Sequence, residues 1–277
     1  MPQPSLSPSR AGDFQRCPLL FRFRTIDKLP EPLSSAAMRG RLVHLVLERL
    51  FDLPAAERTP AAAHGLEPSA LASLEQSEPG LVSLFLTSQE RQSWIESAHQ
   101  LIENYFYLED PTSLAPQERE TWVRTRLDNG LNLRGIIDRL DVAPTTGALR
   151  VVDYKTSKAP AQRYQGETMF QLRFYSLILW RERSVIPAMV QLLYLGSRDI
   201  VYQVPTAEQL EITETKIRTL WDSIVRMTFS QQFPPVKSPL CDWCAHQTLC
   251  TKFGGQPPPF PEDATALLGI DPDTASP

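Results

Sequence analysis

Apolar residues recur every three to four positions at Met38, Leu42, Val43, Leu45, Val46, Leu47, Leu50 and Phe51. This predicts a helix from Ser34 to Asp52 with one apolar face, and His44 lies inside it. The same period returns from Ser88 to Tyr107 through Trp94, Ile95, Ala98, Leu101, Ile102, Tyr105 and Phe106, and Asp110-Pro111 stops it. Near the start, small polar residues precede AGDFQRCPLLFRF and predict a capped short helix ending near Pro18. Leu53 to Gly80 carries Pro54, Pro60, Pro68 and Pro79 among many alanines, a pattern of short helical turns and loops that reads as an insertion or lid.

In the middle of the chain the period drops to two. Glu120 to Leu127, Leu131 to Leu140 and Leu149 to Tyr154 read as strands. Asp128-Asn129-Gly130 is a hairpin signal between the first two, and Pro144 to Gly147 a turn between the last two, so a three-stranded antiparallel meander is expected. Met169 to Arg183 returns to helix, Ala188 to Leu195 and Ile200 to Val204 form a second hairpin, and Ala207 to Phe229 is a long amphipathic helix. Strands bracketed by helices in this order predict an α/β fold with one sheet and helices packed around it. A single domain is expected over 1–253, with a helical N-terminal region over 1–115, a sheet core over 116–229 and a cysteine segment over 230–253. Residues 254–277 read as a loosely attached, acidic, proline-rich tail.

Composition narrows the function classes. The 277 residues are 42% apolar and carry a formal net charge of -4, so no global basic surplus announces a nucleic-acid partner, although a local basic groove remains open. No stretch approaches the roughly 20 apolar residues of a membrane span, and the N-terminus lacks a secretion signal, so a cytoplasmic protein with no membrane partner is expected. No G-x-x-x-x-G-K-[ST] motif occurs, and ATP-driven unwinding would need another protein. Four cysteines are too sparse for a disulfide scaffold.

Candidate chemistry lies on the meander. Asp138 and Asp153 each end an apolar run on neighbouring strands, where a charge is costly unless paired or metal-bound. Lys155, two residues after Asp153, points to the same side. Two carboxylates and an ammonium can hold Mg²⁺ or Mn²⁺ and orient an attacking water, the requirements of phosphodiester hydrolysis. The alternative on these residues alone is a set of surface ion pairs among Asp138, Arg139 and Asp141.

The motifs GIIDRLD and VVDYKTSK, with Gln171 and Tyr175 on the next helix and MRGRLVH upstream, resemble the RecB-like branch of the PD-(D/E)XK nuclease superfamily. The resemblance implies a restriction-endonuclease-like core, with a mixed central sheet flanked by helices. It assigns metal binding to Asp138, Asp153, His44 and the carbonyl of Tyr154, and water positioning to Lys155. Gln171 and Tyr175, four apart on one helix face, would lie beside the substrate backbone. Glu120 is the acid expected to help order the site, ahead of Glu118, which shares its side of the strand.

Cys241, Cys244 and Cys250 form C-x2-C-x5-C, while Cys17 stands alone far upstream. Four thiolates suit zinc or an iron–sulfur cluster. One cysteine before the core and three after it resembles the AddB-like and CRISPR-associated RecB-like nucleases, which implies a [4Fe-4S] cluster joining the two ends of the domain. His246 is then a packing or DNA-facing residue. Arg10, Arg16, Arg22, Arg24, Arg39 and Arg41 are candidate phosphate contacts, and Trp243 a candidate base-stacking or cluster-capping residue. The function expected is a metal-dependent DNA exonuclease in repair or recombination, acting on free ends or single-stranded DNA. The alternatives are a catalytically weak DNA-binding or recruiting module beside a helicase partner, and a zinc-dependent binding protein.

Overall fold

The computed structural model describes residues 3–161 and 166–271. Its centre is a mixed sheet of β1 (Ser5–Leu6), β2 (Pro116–Arg126), β3 (Asn132–Val142), β4 (Leu149–Lys155), β5 (Met189–Tyr194) and β6 (Asp199–Gln203). β2, β3 and β4 pair antiparallel in succession, β4 and β5 run parallel, and β5 and β6 close a hairpin. β1 adds a short parallel pairing at the start of β3, with Ser5 opposite Asn132. The β2–β3 turn places Gly130 at φ +83, the left-handed conformation that its Asp-Asn-Gly sequence favours.

Helices cover both faces. On one side α3 (Ser35–Leu50), α4 (Pro60–Ser77) and α5 (Ser88–Leu108) pack Leu42, Val46, Ala63, Ala70 and Ile102 against Val152, Tyr154 and Leu193 of the sheet. On the other side α1 (Pro8–Arg16), α2 (Pro18–Phe21), α6 (Gly166–Arg183) and α7 (Ala207–Ser230) enclose Leu140, Val151 and Leu192. Two buried sides leave most residues of the central strands β4 and β5 out of solvent, as in a sheet covered by helices on both faces. Among the described residues no helix is long and apolar enough to cross a membrane.

Three segments differ from expectation. The proline-bearing stretch after Leu53 contains an 18-residue helix, α4. Its Pro60 sits in the first turn behind a Thr59 cap, where the missing N–H costs nothing, and its alanines sustain the helix through Pro68. The capped N-terminal helix ends at Arg16, near Pro18 as expected, but helix does not stop there: Ser7 caps α1, Cys17 is extended, and the chain turns helical again over α2 and a wider turn at Arg22–Ile26. The tail is docked as far as it is described. Phe260 stacks on Phe233 with centroids 5.9 Å apart, Arg22 Nη2 donates to the Pro258 carbonyl at 2.5 Å, and Leu268 and Ile270 of the turn around α8 (Ala264–Leu268) are buried. Residues 272–277 of that tail lie outside the described residues.

Candidate active site

β3 and β4 pair from Val142–Leu149 only as far as Arg139–Val152. There the strands fork, and the next residues on the two arms are Asp138 and Asp153. A fork strands backbone groups that a ladder would satisfy, and here side chains take them up. The Tyr154 N–H donates to Asp138 Oδ2 at 2.6 Å. The Tyr154 carbonyl accepts from His44 Nε2 of α3 at 3.0 Å. Because a carbonyl can only accept, Nε2 carries a proton, and Nδ1 faces the carboxylates at 3.5 Å from Asp138 Oδ2 and 3.7 Å from Glu120 Oε1.

Glu120 reaches this point through an unusual backbone. Its φ is +43, in the left-handed region that a non-glycine residue adopts only under constraint. Strand alternation is broken there. Arg119, like Glu120, turns toward α3, donating to the Glu48 carbonyl at 2.6 Å and pairing with Asp52 at 2.8 Å. Glu118, expected on the same side as Glu120, instead pairs with Arg183 of α6 at 2.7 Å.

Asp153 is buried beside this group. Lys155 Nζ lies 2.6 Å from its Oδ2, and Gln171 Nε2 of α6 donates to its Oδ1 at 3.2 Å. Tyr175, one helical turn after Gln171, lies across β3 at Gly135, where any Cβ would come within 2.6 Å of its ring. Behind the fork, on the opposite face of β3, Arg139 is fully buried. It pairs with Glu109 at 2.8 Å and Asp141 at 3.0 Å, and donates to the Tyr154 hydroxyl at 2.7 Å. The supposed surface ion pair of Arg139 and Asp141 is thus an interior network, and Asp138 does not belong to it.

The electrostatics follow from crowding carboxylates out of water. Burial and the neighbouring Asp153 push Asp138 up to about 7, against the pull of His44 and the Tyr154 N–H. Burial favours neutral His44, but Asp138, Glu120 and Asp153 outweigh it and push its pKa up to about 9. Lys155 is likewise raised above its ordinary value, since Asp153 and Asp138 overcome burial, and it stays an ammonium.

His44, Glu120 and Asp138 each bring one ligand atom within 4.8 Å of the others, and the nearby Asp153 Oδ2 is buried without a hydrogen-bond partner despite its contact with Lys155. Oxygen donors with a single imidazole fit a hard divalent cation. The group opens into a cleft of about 810 Å³ that Lys155, Gln171 and Tyr175 also line. Of the candidate arginines, Arg16 and Arg24 reach the cleft, but Arg24 is held there by Asp13 and Glu31 at 2.7 Å each. Arg22 is buried against Asp27 at 3.0 Å, Arg39 donates to Ser97, and Arg41 pairs with Glu78. Sequence reasoning missed Arg134 and the exposed Trp122, which line the same cleft from β3 and β2. Alternation along RGIIDRLD and ETWVRTR was the signal that could have found them.

The cysteine expectation fails. Cys17, Cys241, Cys244 and Cys250 do border one cavity of about 50 Å³. Among the described residues, however, the groups whose ligand atoms lie within 4.8 Å of one another are His44–Glu120–Asp138 and His64–Glu67–His99, and no cysteine belongs to either. The sulfurs make local contacts instead: Cys17 Sγ accepts from the Val236 N–H and Cys241 Sγ from the Ser238 N–H, each at 3.4 Å. Neither a [4Fe-4S] cluster nor the iron–sulfur RecB-like branch is supported, and the ends of the domain are joined by aromatic packing rather than by a metal cluster. His246 is a packing residue, buried against Phe23 and bonded to Glu31 at 2.8 Å. Trp243 is exposed and does not line the cleft.

A family model described as the PD-(D/E)XK nuclease superfamily matches residues 5–251. Among solved structures, a "Putative exonuclease" from Eubacterium rectale superposes with a TM-score of 0.58 at 15% identity, covering 87% of each chain; at that identity the likeness is one of fold. A chain named SSO0001 gives a TM-score of 0.43 at 14% identity, covering 91% of this chain and 88% of that one. Comparison with curated proteins finds no match.

Proposed function

This chain belongs to the PD-(D/E)XK nuclease superfamily and has a nuclease-type function, and from that premise we propose that it is a metal-dependent DNA exonuclease, hydrolysing phosphodiester bonds at free ends or on single strands in repair or recombination. The observation that carries the reading is the fork of β3 and β4, which opens Asp138, Asp153, His44 and Glu120 onto one cleft with an ammonium at its edge. His44, Glu120, Asp138 and Asp153 would hold Mg²⁺ or Mn²⁺, with the Tyr154 carbonyl adjacent. When bound, the ion supplies Lewis acidity toward the scissile phosphate and lowers the pKa of an attacking water.

The remaining steps belong to the chain's own groups. His44 Nε2–H, bonded to the Tyr154 carbonyl, fixes the ring so that Nδ1 points at the carboxylates. Gln171 holds Asp153 from α6, and Asp153 in turn holds Lys155 against the cleft. The Lys155 ammonium orients the water and offsets charge developing on the phosphoryl oxygens. Arg134 and Arg16 supply backbone phosphate contacts, and Trp122 a face on which a base can stack, which favours a single strand. The sequence carries no nucleotide-motor motif, so a duplex substrate would depend on a helicase partner.

Digestion of end-labelled linear and closed circular DNA, single- and double-stranded, with Mg²⁺ or Mn²⁺ tests the proposal. Linear single strands should be shortened from an end while circles survive. Asp138→Ala or Asp153→Ala should lower the rate by at least about 10²–10³-fold, with folding retained. Lys155→Ala should lose catalytic rate more than binding, and Lys155→Arg should not restore it, because a planar fork does not replace a compact ammonium. Activity within about tenfold of wild type in either aspartate variant would remove the metal assignment.

A further inference from the structure

Of the chain's four histidines only His44 lines the cleft, and two of the others, His64 and His99, lie on the helical layer. His64 and Glu67 are three residues apart on α4, and His99 and Glu103 four apart on α5, so each helix turns its pair to one side. The pairs face each other. His64, Glu67 and His99 bring one ligand atom each within 4.8 Å of the others, and His64 Nε2 is 2.5 Å from Glu103 Oε1. The two imidazoles meet edge to face with centroids 4.9 Å apart.

Glu67 forms the floor of the group: it is only 3% exposed, and its Oε2 lies 2.5 Å from His99 Nε2 and 4.0 Å from His64 Nδ1. His64 Nδ1 is buried without a hydrogen-bond partner. An imidazole nitrogen left unsatisfied out of water is costly, and a cation shared with the carboxylate would satisfy it.

We propose that His64, Glu67 and His99 form a zinc site that clamps α4 to α5, with Glu103 orienting His64 from its other nitrogen. Two imidazole nitrogens and one carboxylate, with a water as the fourth ligand, are a set suited to zinc, whereas Mg²⁺ prefers oxygen. Bonds of about 2.0–2.2 Å set tetrahedral ligand atoms roughly 3.3–3.6 Å apart, a spacing that fits inside the observed 4.8 Å span. His99 and Glu103 are about two-fifths exposed and offer the ion an entry path, while Glu67 forms the floor. The clamp bears on the cleft indirectly. Ser73, Leu74 and Ser77 of α4 wall a groove shared with His44 and Glu120, so fixing α4 fixes that wall without the zinc entering the reaction.

The test uses the full chain, stripped by chelation, saturated with Mg²⁺ to fill the cleft, and then equilibrated with Zn²⁺ and freed of excess. Wild type should retain one more equivalent of zinc than the His64→Gln/His99→Gln variant, and zinc should raise the melting temperature of wild type alone. Equal zinc contents in the two folded proteins, or retention without a melting shift, would overturn the clamp. Should the variant not fold, zinc-edge anomalous diffraction from wild-type crystals decides: a peak between His64 and His99 supports the site, and its absence overturns it.

Discussion

Tyr154 serves the fork through its backbone, with its N–H on Asp138 and its carbonyl on His44, while its hydroxyl is pinned by the buried Arg139. One residue thereby sets the distance between an acid and an imidazole whose protonation is linked. Asp138 sits at about 7 against an ordinary 3.8, so in the metal-free protein its contribution to stability is present below the ordinary carboxylate range and is lost as pH rises through 7. His44, at about 9 against 6.5, contributes fully below 6.5 and loses its contribution as pH rises through 9. A divalent cation must displace these protons, so its binding should weaken as pH falls, by roughly tenfold per pH unit for each proton released. The melting-temperature increase given by Mn²⁺ should accordingly be larger at pH 8 than at pH 6, and equal increases would mean that Asp138 and His44 do not bind the ion. Asp138, Asp153 and Lys155 were legible in the sequence because charges closing apolar strand runs need a reason. The turn of Glu120 toward His44 was not, because it depends on one backbone angle that alternation cannot anticipate.

Among the elements, α6 reaches the sheet through a contact that admits no side chain at Gly135. A methyl there would stand 2.6 Å from Tyr175 Cε1, and a buried ring has little room to yield. Gly135→Ala should cost about 1–3 kcal/mol in urea unfolding and displace the face that carries Gln171 toward Asp153. Unchanged stability would show that α6 slides freely on β3. The strands and long helices could be read from periodicity because each has one polar and one buried side, or two buried sides at the centre of the sheet. α4 could not, since its prolines and alanine-rich sequence, with Leu66, Leu71 and Leu74 its only large apolar residues, hid a helix in which two of the four buried positions are alanines. The fork itself was also hidden: pattern shows where strands lie, whereas the point at which two of them separate is set by the twist and packing of the whole sheet.

Across the molecule, aromatic rings connect the cleft wall to the C-terminal segment. Phe14 of α1 meets Phe21 edge to face at 5.4 Å, Phe21 stacks on Phe233 at 6.4 Å, and Phe233 on Phe260 at 5.9 Å. Removing residues 255–277 should therefore lower stability by about 3 kcal/mol or more, since Leu268 and Ile270 alone are each worth at least about 1.5 kcal/mol when buried. Thermal melting of the shortened chain checks this, and an unchanged midpoint would make the segment a passive appendage. The acids and prolines of that segment masked the few apolar residues by which it docks, so composition was a poor guide to its place. The same ladder orders events during synthesis. The chain emerges N-terminus first, yet α1, which borders the cleft, gains the last ring behind it only when Phe260 is exposed, and Arg22 waits 236 residues for the Pro258 carbonyl. A chain that has not yet reached Phe260 leaves Phe233 and Phe21 unbacked, so the α1 wall of the cleft gains its full support only after that ring is added.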